Sequence, residues 1–108
     1  MLIKVINPNT SEPMTEAIKR SARAVAGVDV HAVTAPMGPA SIESHYDEAL
    51  AVPGVLAELG GADGYVIACF GDPGLDAARE VADGPVVGMA EAAMRAASYL
   101  GRGFSVRG

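Results

Sequence analysis

The stretch GYVIACFGDPG, residues 64–74, joins a short apolar run to a turn that leads into a helix. Residues 64–69 are mostly apolar and include β-branched side chains, a pattern that predicts a strand buried on both faces. The glycines and the proline that follow break this strand. Asp72 can cap the next helix, with Pro73 at its first position, and we expect that helix to extend to Val81. A strand, a turn and a helix in this order are typical of a parallel α/β sheet.

The same alternation of strands and helices continues on both sides of this unit. Residues 2–6 are apolar and β-branched, which predicts a second buried strand. Thr10 or Ser11 can cap the helix that follows, and Gly27 ends it. The remaining predicted strands are a half-exposed edge strand over residues 28–34 and strands over residues 85–88 and 104–106. A helix is predicted to open at Ser41 and Ile42 and to run to Ala51, before Pro53 and Gly54 break or kink it. The last predicted helix covers residues 89–99.

Strands that alternate with helices predict a doubly wound parallel sheet with right-handed crossovers. A chain of 108 residues has room for one domain, which we expect to span residues 1–108. Eight Lys and Arg against thirteen Asp and Glu give a net charge of −5, which argues against nucleic acid and against an anionic membrane surface as partners. The amino terminus lacks the pattern of a signal peptide, so we expect the protein in the reducing cytoplasm.

Ligands of such sheets bind beyond the carboxyl ends of the strands, so the first residues after each strand are the candidates for a site. Cys69 ends a predicted strand shortly before a helix start, a position that can lower a thiol pKa and make a base or nucleophile. From its spacing alone, a single cysteine after an apolar strand is more often a small buried apolar residue than a base or nucleophile. Asn7 can orient a carbonyl or imide, or it can simply stabilise its turn. Neither histidine has a partner at metal-ligand spacing, and the phosphate-binding glycine motifs are absent from the sequence, so we expect neither a metal nor a nucleotide cofactor.

Four segments together resemble the hydantoin and allantoin racemases of the aspartate/glutamate racemase superfamily. These segments are INPNTS at residues 6–11, GPASIESHYDEA at 38–49, ACFGDPGLDAARE at 68–80 and PVVGMAEAAM at 85–94. The resemblance implies epimerisation, without a cofactor, at a carbon next to a carbonyl in a small-molecule substrate. It also implies a fold of two pseudo-symmetric α/β domains, of which this sequence resembles the first. Two cysteines on opposite sides of the substrate exchange the proton in that family.

The resemblance assigns roles to individual residues of this sequence. Cys69 matches the first catalytic cysteine, and the backbone amides of Phe70 and Gly71 would face the oxyanion. The remaining expected substrate-binding residues are Asn7, Ser41 and Ile42. No residue matches the second cysteine, and the family is about twice as long, so we expect a truncated chain that covers the first domain only.

Three functions therefore stay open. The chain can be a racemase whose second proton donor comes from another copy in a homo-oligomer. It can be a catalytically inactive half-domain or fragment of such a racemase. It can also be an isomerase or decarboxylase of the same superfamily that works with one cysteine.

Overall fold

The computed structural model describes residues 1–23 and 28–100, with side chains described up to residue 94. The predicted strand over residues 104–106 and the predicted end of the first helix near Gly27 lie outside this part of the chain. The described strands are β1 (Leu2–Asn7), β2 (Asp29–Thr34), β3 (Gly64–Ile67) and β4 (Val86–Gly88). The described helices are α1 (Glu12–Ala22), α2 (His45–Ala57), α3 (Leu75–Val81) and α4 (Met89–Leu100).

The strands form a parallel sheet in the order β2-β1-β3-β4. The step from β1 to β2 runs one way along the sheet, and the steps to β3 and β4 run the other way. Right-handed crossovers then put α1 on one face and α2 and α3 on the other, where α2 and α3 pack against each other. This arrangement confirms the predicted doubly wound parallel sheet, and β2 is the outermost described strand on its side, as expected.

The core lies between the sheet and α2 and α3. Its buried members are Ile6, Val55, Tyr65, Ile67, Ala78 and Val86. The Tyr65 hydroxyl oxygen accepts a 2.7 Å hydrogen bond from the Gly60 backbone amide, so its polar atom is satisfied. Residues 2–5 of β1 are only half-buried, against the prediction of a fully buried strand, because α1 packs more on β2 than on β1.

The start of α2 differs from the prediction. The helix begins at His45 instead of near Ser41, because the Ser44 side chain accepts a 3.1 Å hydrogen bond from the Asp47 amide and serves as the N-cap. The helix also continues through Pro53 to Ala57. Tertiary packing explains this continuation, because Gly54, the residue directly after Pro53, is buried against Ala35 and Met37 of the preceding segment.

The cap of α1 is as predicted, and that of α3 is not. The Ser11 hydroxyl accepts a hydrogen bond of 3.3 Å from the Met14 amide at the start of α1. At α3 the N-cap is Gly74, in the left-handed conformation and without a side-chain cap. Asp72, the predicted cap of α3, lies in the preceding turn and caps α4 instead.

Candidate active site

Three loops meet at the carboxyl edge of the sheet. The register pairs Asn7 with Thr34 and Ile6 with Ile67, and the Ala68 amide donates a 2.9 Å hydrogen bond to the Ile6 carbonyl. Cys69, one residue further along, therefore lies next to the end of β1. The loops after β1, β2 and β3 thus leave the sheet side by side, which is where a parallel sheet binds its ligands.

The β1–α1 turn is held by a buried network of polar side chains. The Asn7 Nδ2 amide donates to Asn9 Oδ1 at 2.8 Å, to Thr15 Oγ1 at 3.0 Å and to the Ser11 carbonyl at 3.1 Å. Asn7 Oδ1 accepts a 3.3 Å hydrogen bond from the Asn9 amide, and the Thr15 and Thr34 hydroxyls lie 2.6 Å apart. Asn7 is almost fully buried, so its side chain stabilises the turn with every polar atom that it has. Its predicted contact with a substrate stays a prediction.

The β2–α2 loop lies against the same turn. The Thr10 amide donates a 3.1 Å hydrogen bond to the Pro39 carbonyl. Gly38 has a φ of 118° and lies against the backbone of α2 at Leu50, so a side chain there would strain the loop. Ser41 is exposed and Ile42 is half-buried in this loop. Both residues are thus near the β1–α1 turn, and neither side chain makes a hydrogen bond within the part of the chain that the structure describes.

Cys69 is half-buried in the turn after β3. Its Sγ lies 3.2 Å from the Phe70 carbonyl oxygen, to which the thiol can donate. Burial raises the pKa of the Cys69 thiol, and the nearby carboxylates of Glu48 and Asp72 raise that pKa further. This direction is opposite to the lowering that a helix start can produce. The physical reason is that α3 begins only at Leu75, six residues after Cys69, while burial, first, and then the Glu48 and Asp72 carboxylates disfavour the thiolate.

Glu48 is a site residue that the sequence reasoning missed. It lies on the first turns of α2, and its Oε2 is 3.4 Å from His45 Nδ1. Gly71, with a φ of 99°, faces it so closely that a Cβ on Gly71 would be 2.7 Å from Glu48 Oε1. The α2 start therefore packs on the Cys69 turn. The segment GPASIESHYDEA contains Glu48, so the family resemblance was the signal that could have found it.

Phe70 and Gly71 have different surroundings. The Phe70 ring is 59% exposed, which leaves an aromatic surface beside the thiol. Gly71 is on the side of the turn that faces the Glu48 carboxylate. The Glu48 carboxylate lies where a side chain at residue 71 would be, which does not fix what the Phe70 and Gly71 amides face, so their predicted oxyanion role stays a prediction.

Asp72 is the second residue whose role the sequence reasoning missed. It has a φ of 46°, in the left-handed region. Its carboxylate accepts hydrogen bonds from the amides of Ala90 at 2.8 Å and Glu91 at 2.9 Å, in the first turn of α4. Gly88 packs directly against this carboxylate and leaves no room for a Cβ. No local pattern indicates a cap that lies 18 residues away along the chain.

The described ranges 1–23 and 28–100 contain neither a metal-binding cluster nor a membrane-spanning helix. No group of three or more His, Cys, Asp or Glu side chains in these ranges could hold a metal ion. The helices of the same ranges include none that is long and apolar enough to cross a membrane.

The chain is similar to known racemases along nearly its whole length. The family model of Asp/Glu/hydantoin racemases matches residues 3–108. A hydantoin racemase of Pseudomonas sp. strain NS671 is 55% identical over 113 aligned positions, which cover 98% of this chain and 45% of that protein.

Two solved structures have the same fold. The allantoin racemase from Klebsiella pneumoniae superposes with a TM-score of 0.87 at 54% identity, over 92% of this chain and 43% of that one. The allantoin racemase from Pseudomonas fluorescens superposes with a TM-score of 0.86 at 34% identity, over 94% of this chain and 46% of that one. The chain thus spans less than half the length of these relatives.

Proposed function

The chain belongs to the Asp/Glu/hydantoin racemase family, and on that premise we propose that it forms one half of a racemase site for 5-substituted hydantoins or allantoin. Cys69 exchanges the proton at the carbon next to the carbonyl. The observation that carries this proposal is the position of the thiol, half-buried where the loops after β1 and β3 meet at the carboxyl edge of the sheet. The similar hydantoin and allantoin racemases support the substrate class.

The chemistry is a balanced proton transfer. The Cys69 thiolate removes the proton from C5 of the ring and becomes a thiol, and the electron pair of the C–H bond delocalises into the neighbouring carbonyl as an enolate. A second acid then returns a proton to the opposite face of C5. No electrons are exchanged with an outside group, so we propose that the reaction proceeds without a cofactor.

Burial and the carboxylates of Glu48 and Asp72 raise the pKa of the Cys69 thiol and so favour the thiol over the thiolate. The thiol is the form that can donate a proton to the ring. For the enantiomer that requires a base on this side, Cys69 must first lose its proton. We therefore propose that Cys69 acts as the acid for one enantiomer and as the base for the other.

A two-sided exchange needs a second proton donor, and residues 1–108 contain one cysteine. We propose that residues 1–108 form one domain and correspond to the first of two pseudo-symmetric halves, and that a second copy of this chain supplies the opposite donor in a homo-oligomer.

The substrate would lie between the Cys69 turn and the β2–α2 loop. We propose that Ser41, Ile42 and Phe70 contact it, because Phe70 directly follows Cys69 and is exposed, and the β2–α2 loop leaves Ser41 exposed and Ile42 half-buried. Asn7 contributes by holding the β1–α1 turn, because its amide is engaged there. The backbone amides of Phe70 and Gly71 are the proposed donors to the enolate oxygen.

Loss of optical rotation tests this function. An enantiopure 5-substituted hydantoin is incubated near neutral pH with the wild-type chain, the Cys69→Ser variant or buffer. We expect racemisation above the buffer rate by the wild type alone, with a rate per chain that rises with protein concentration as two copies associate. Equal rates for the wild type and Cys69→Ser would overturn the assignment of Cys69.

A second candidate function is a half-domain that binds the substrate and does not turn it over. The single cysteine favours it, because residues 1–108 carry one thiol donor. Saturable binding of the hydantoin, without racemisation at any protein concentration, would select this function over the first.

A further inference from the structure

We infer that Asp72 is a positioning residue of this site, which fixes the Cys69 turn to the start of α4 through its backbone and its carboxylate. The inference rests on the proposed role of Cys69. The main chain supplies the first connection, because the Asp72 amide donates a 3.1 Å hydrogen bond to the Cys69 carbonyl. The Asp72 carbonyl in turn accepts a 3.1 Å hydrogen bond from the Leu75 amide, at the start of α3.

The carboxylate supplies the second connection. Both of its oxygens are engaged, Oδ1 by the Ala90 amide at 2.8 Å and Oδ2 by the Glu91 amide at 2.9 Å. These amides belong to the first turn of α4, where backbone N–H groups have no partner within the helix and the helix dipole favours a negative charge. One residue thus joins the Cys69 turn, the α3 start and the α4 start.

The local backbone indicates that this connection is specific. Asp72 has a φ of 46°, in the left-handed region, which is uncommon for residues other than glycine and in which Asn and Asp are the most tolerated. The neighbouring position is glycine, and a Cβ at Gly88 would collide with the Asp72 carboxylate. The Asp72 carboxylate therefore fits at the junction of β4 and α4 because residue 88 has no side chain.

Asp72 acts on Cys69 through its negative charge and through its hydrogen bonds. These two effects change the reactivity of the thiol in opposite directions, so an experiment can distinguish them. Its negative charge disfavours the thiolate, as does that of Glu48. Its hydrogen bonds tie the Cys69 backbone to the start of α4 and in this way position the thiol, and a displacement of about 1 Å in such a site can reduce the rate roughly 100-fold. Removing the charge should therefore make the thiol more reactive toward a small reagent and less effective in racemisation.

The test uses the full chain with the variants Asp72→Asn and Asp76→Asn. Asp76 is exposed on α3, so its replacement removes the same charge without touching the α4 amides and serves as the matched control. Iodoacetamide labelling of Cys69 at neutral pH is followed by intact mass, and racemisation of a 5-substituted hydantoin by optical rotation. We expect Asp72→Asn to be labelled about twofold faster or more and to racemise about 10- to 100-fold more slowly. Asp76→Asn should match the wild type in both assays.

Two outcomes would overturn the inference. Faster labelling together with faster racemisation would mean that Asp72 acts through its charge alone. Unchanged racemisation in Asp72→Asn would mean that its hydrogen bonds do not position the thiol.

A second variant keeps the test decisive if Asp72→Asn folds poorly. Gly88→Ala retains the carboxylate charge and displaces the carboxylate from the α4 amides. We expect it to lose racemisation about 10-fold or more without faster labelling. Wild-type racemisation by a folded Gly88→Ala chain would also overturn the inference.

Amide hydrogen exchange separates this inference from the proposed function. In Asp72→Asn the amides of Ala90 and Glu91 should exchange about 10-fold faster or more, because their acceptor is weakened. If the wild type does not racemise but these amides do become less protected, the proposed function has failed and the connection to α4 stands. Unchanged protection of both amides would overturn the connection itself.

Discussion

Replacing Asn7 by alanine is expected to destabilise the fold strongly. Asn7 is 1% exposed, and its Nδ2 has acceptors at 2.8, 3.0 and 3.1 Å on Asn9, Thr15 and Ser11. Its two amide hydrogens and its one oxygen together make about three net hydrogen bonds, each worth about 1 kcal/mol. The expected loss in the free energy of unfolding is therefore about 2–4 kcal/mol, a large part of the roughly 5–15 kcal/mol that is typical of a domain.

Urea and thermal denaturation measure this loss. The wild-type and Asn7→Ala chains are compared by circular dichroism, and we expect Tm to fall by roughly 10–25 °C. The slope of the free energy against urea should not change, because the two chains expose similar surface on unfolding. A loss below about 0.5 kcal/mol, within the range of ordinary surface substitutions, would refute the reasoning and leave substrate binding as the role of Asn7.

The Asn7→Asp variant is the matched control, since it has the same shape and lacks the donors. In this variant an ionised carboxylate would face the three oxygen atoms that now accept hydrogen bonds from the Asn7 amide. The variant should therefore be at least as unstable as Asn7→Ala at neutral pH. Burial raises the pKa of such a carboxyl, so the folded state holds its proton more tightly than the unfolded state does. Stability should therefore rise as the pH falls, in contrast to Asn7→Ala.

Three further outcomes are expected. The rate of Cys69 alkylation as a function of pH should have its inflection above the ordinary thiol pKa, since burial and carboxylates favour the protonated form; an inflection below it would contradict the described surroundings. Glu48→Gln removes one of these charges and should move the same inflection to lower pH, whereas an unmoved inflection would exclude Glu48 as a cause. A glycine-to-alanine substitution stabilises an ordinary helix by about 1 kcal/mol. Gly54→Ala should instead destabilise this protein by about 1–3 kcal/mol in urea denaturation, because a Cβ would collide with the Met37 carbonyl. Equal or greater stability of the variant would contradict this packing.

The sheet could be predicted from the sequence because its signals are local. The apolar runs at residues 2–6 and 64–69 indicate strands that the structure contains as β1 and β3. Ser11 is likewise a local signal, since an N-cap bonds to an amide three residues on. Where two hydroxyls compete, as at Ser41 and Ser44, the pattern does not decide between them. The packing of α2 then selects the helix start.

The surroundings of the thiol could be predicted only in part. Cys69 is singled out by its place after an apolar run, and the structure does bring it to the edge of the sheet. The direction of its pKa shift depends on Glu48, which is distant along the chain and contacts the Cys69 turn only through the docking of α2. Asp72 has a strong local signal for capping α3, and its actual acceptor role toward Ala90 arises from the tertiary fold.

Deuterium uptake at C5 of an enantiopure 5-substituted hydantoin in D₂O tests most directly whether Cys69 removes the proton. Uptake requires only abstraction and return on one side of the ring, so it does not depend on a second donor. The wild-type chain is compared with Cys69→Ser and with buffer, and mass spectrometry follows the label. We expect uptake above the buffer rate with the wild type and none above it with Cys69→Ser. Equal uptake by both chains, or wild-type uptake at the buffer rate, would contradict proton abstraction by Cys69.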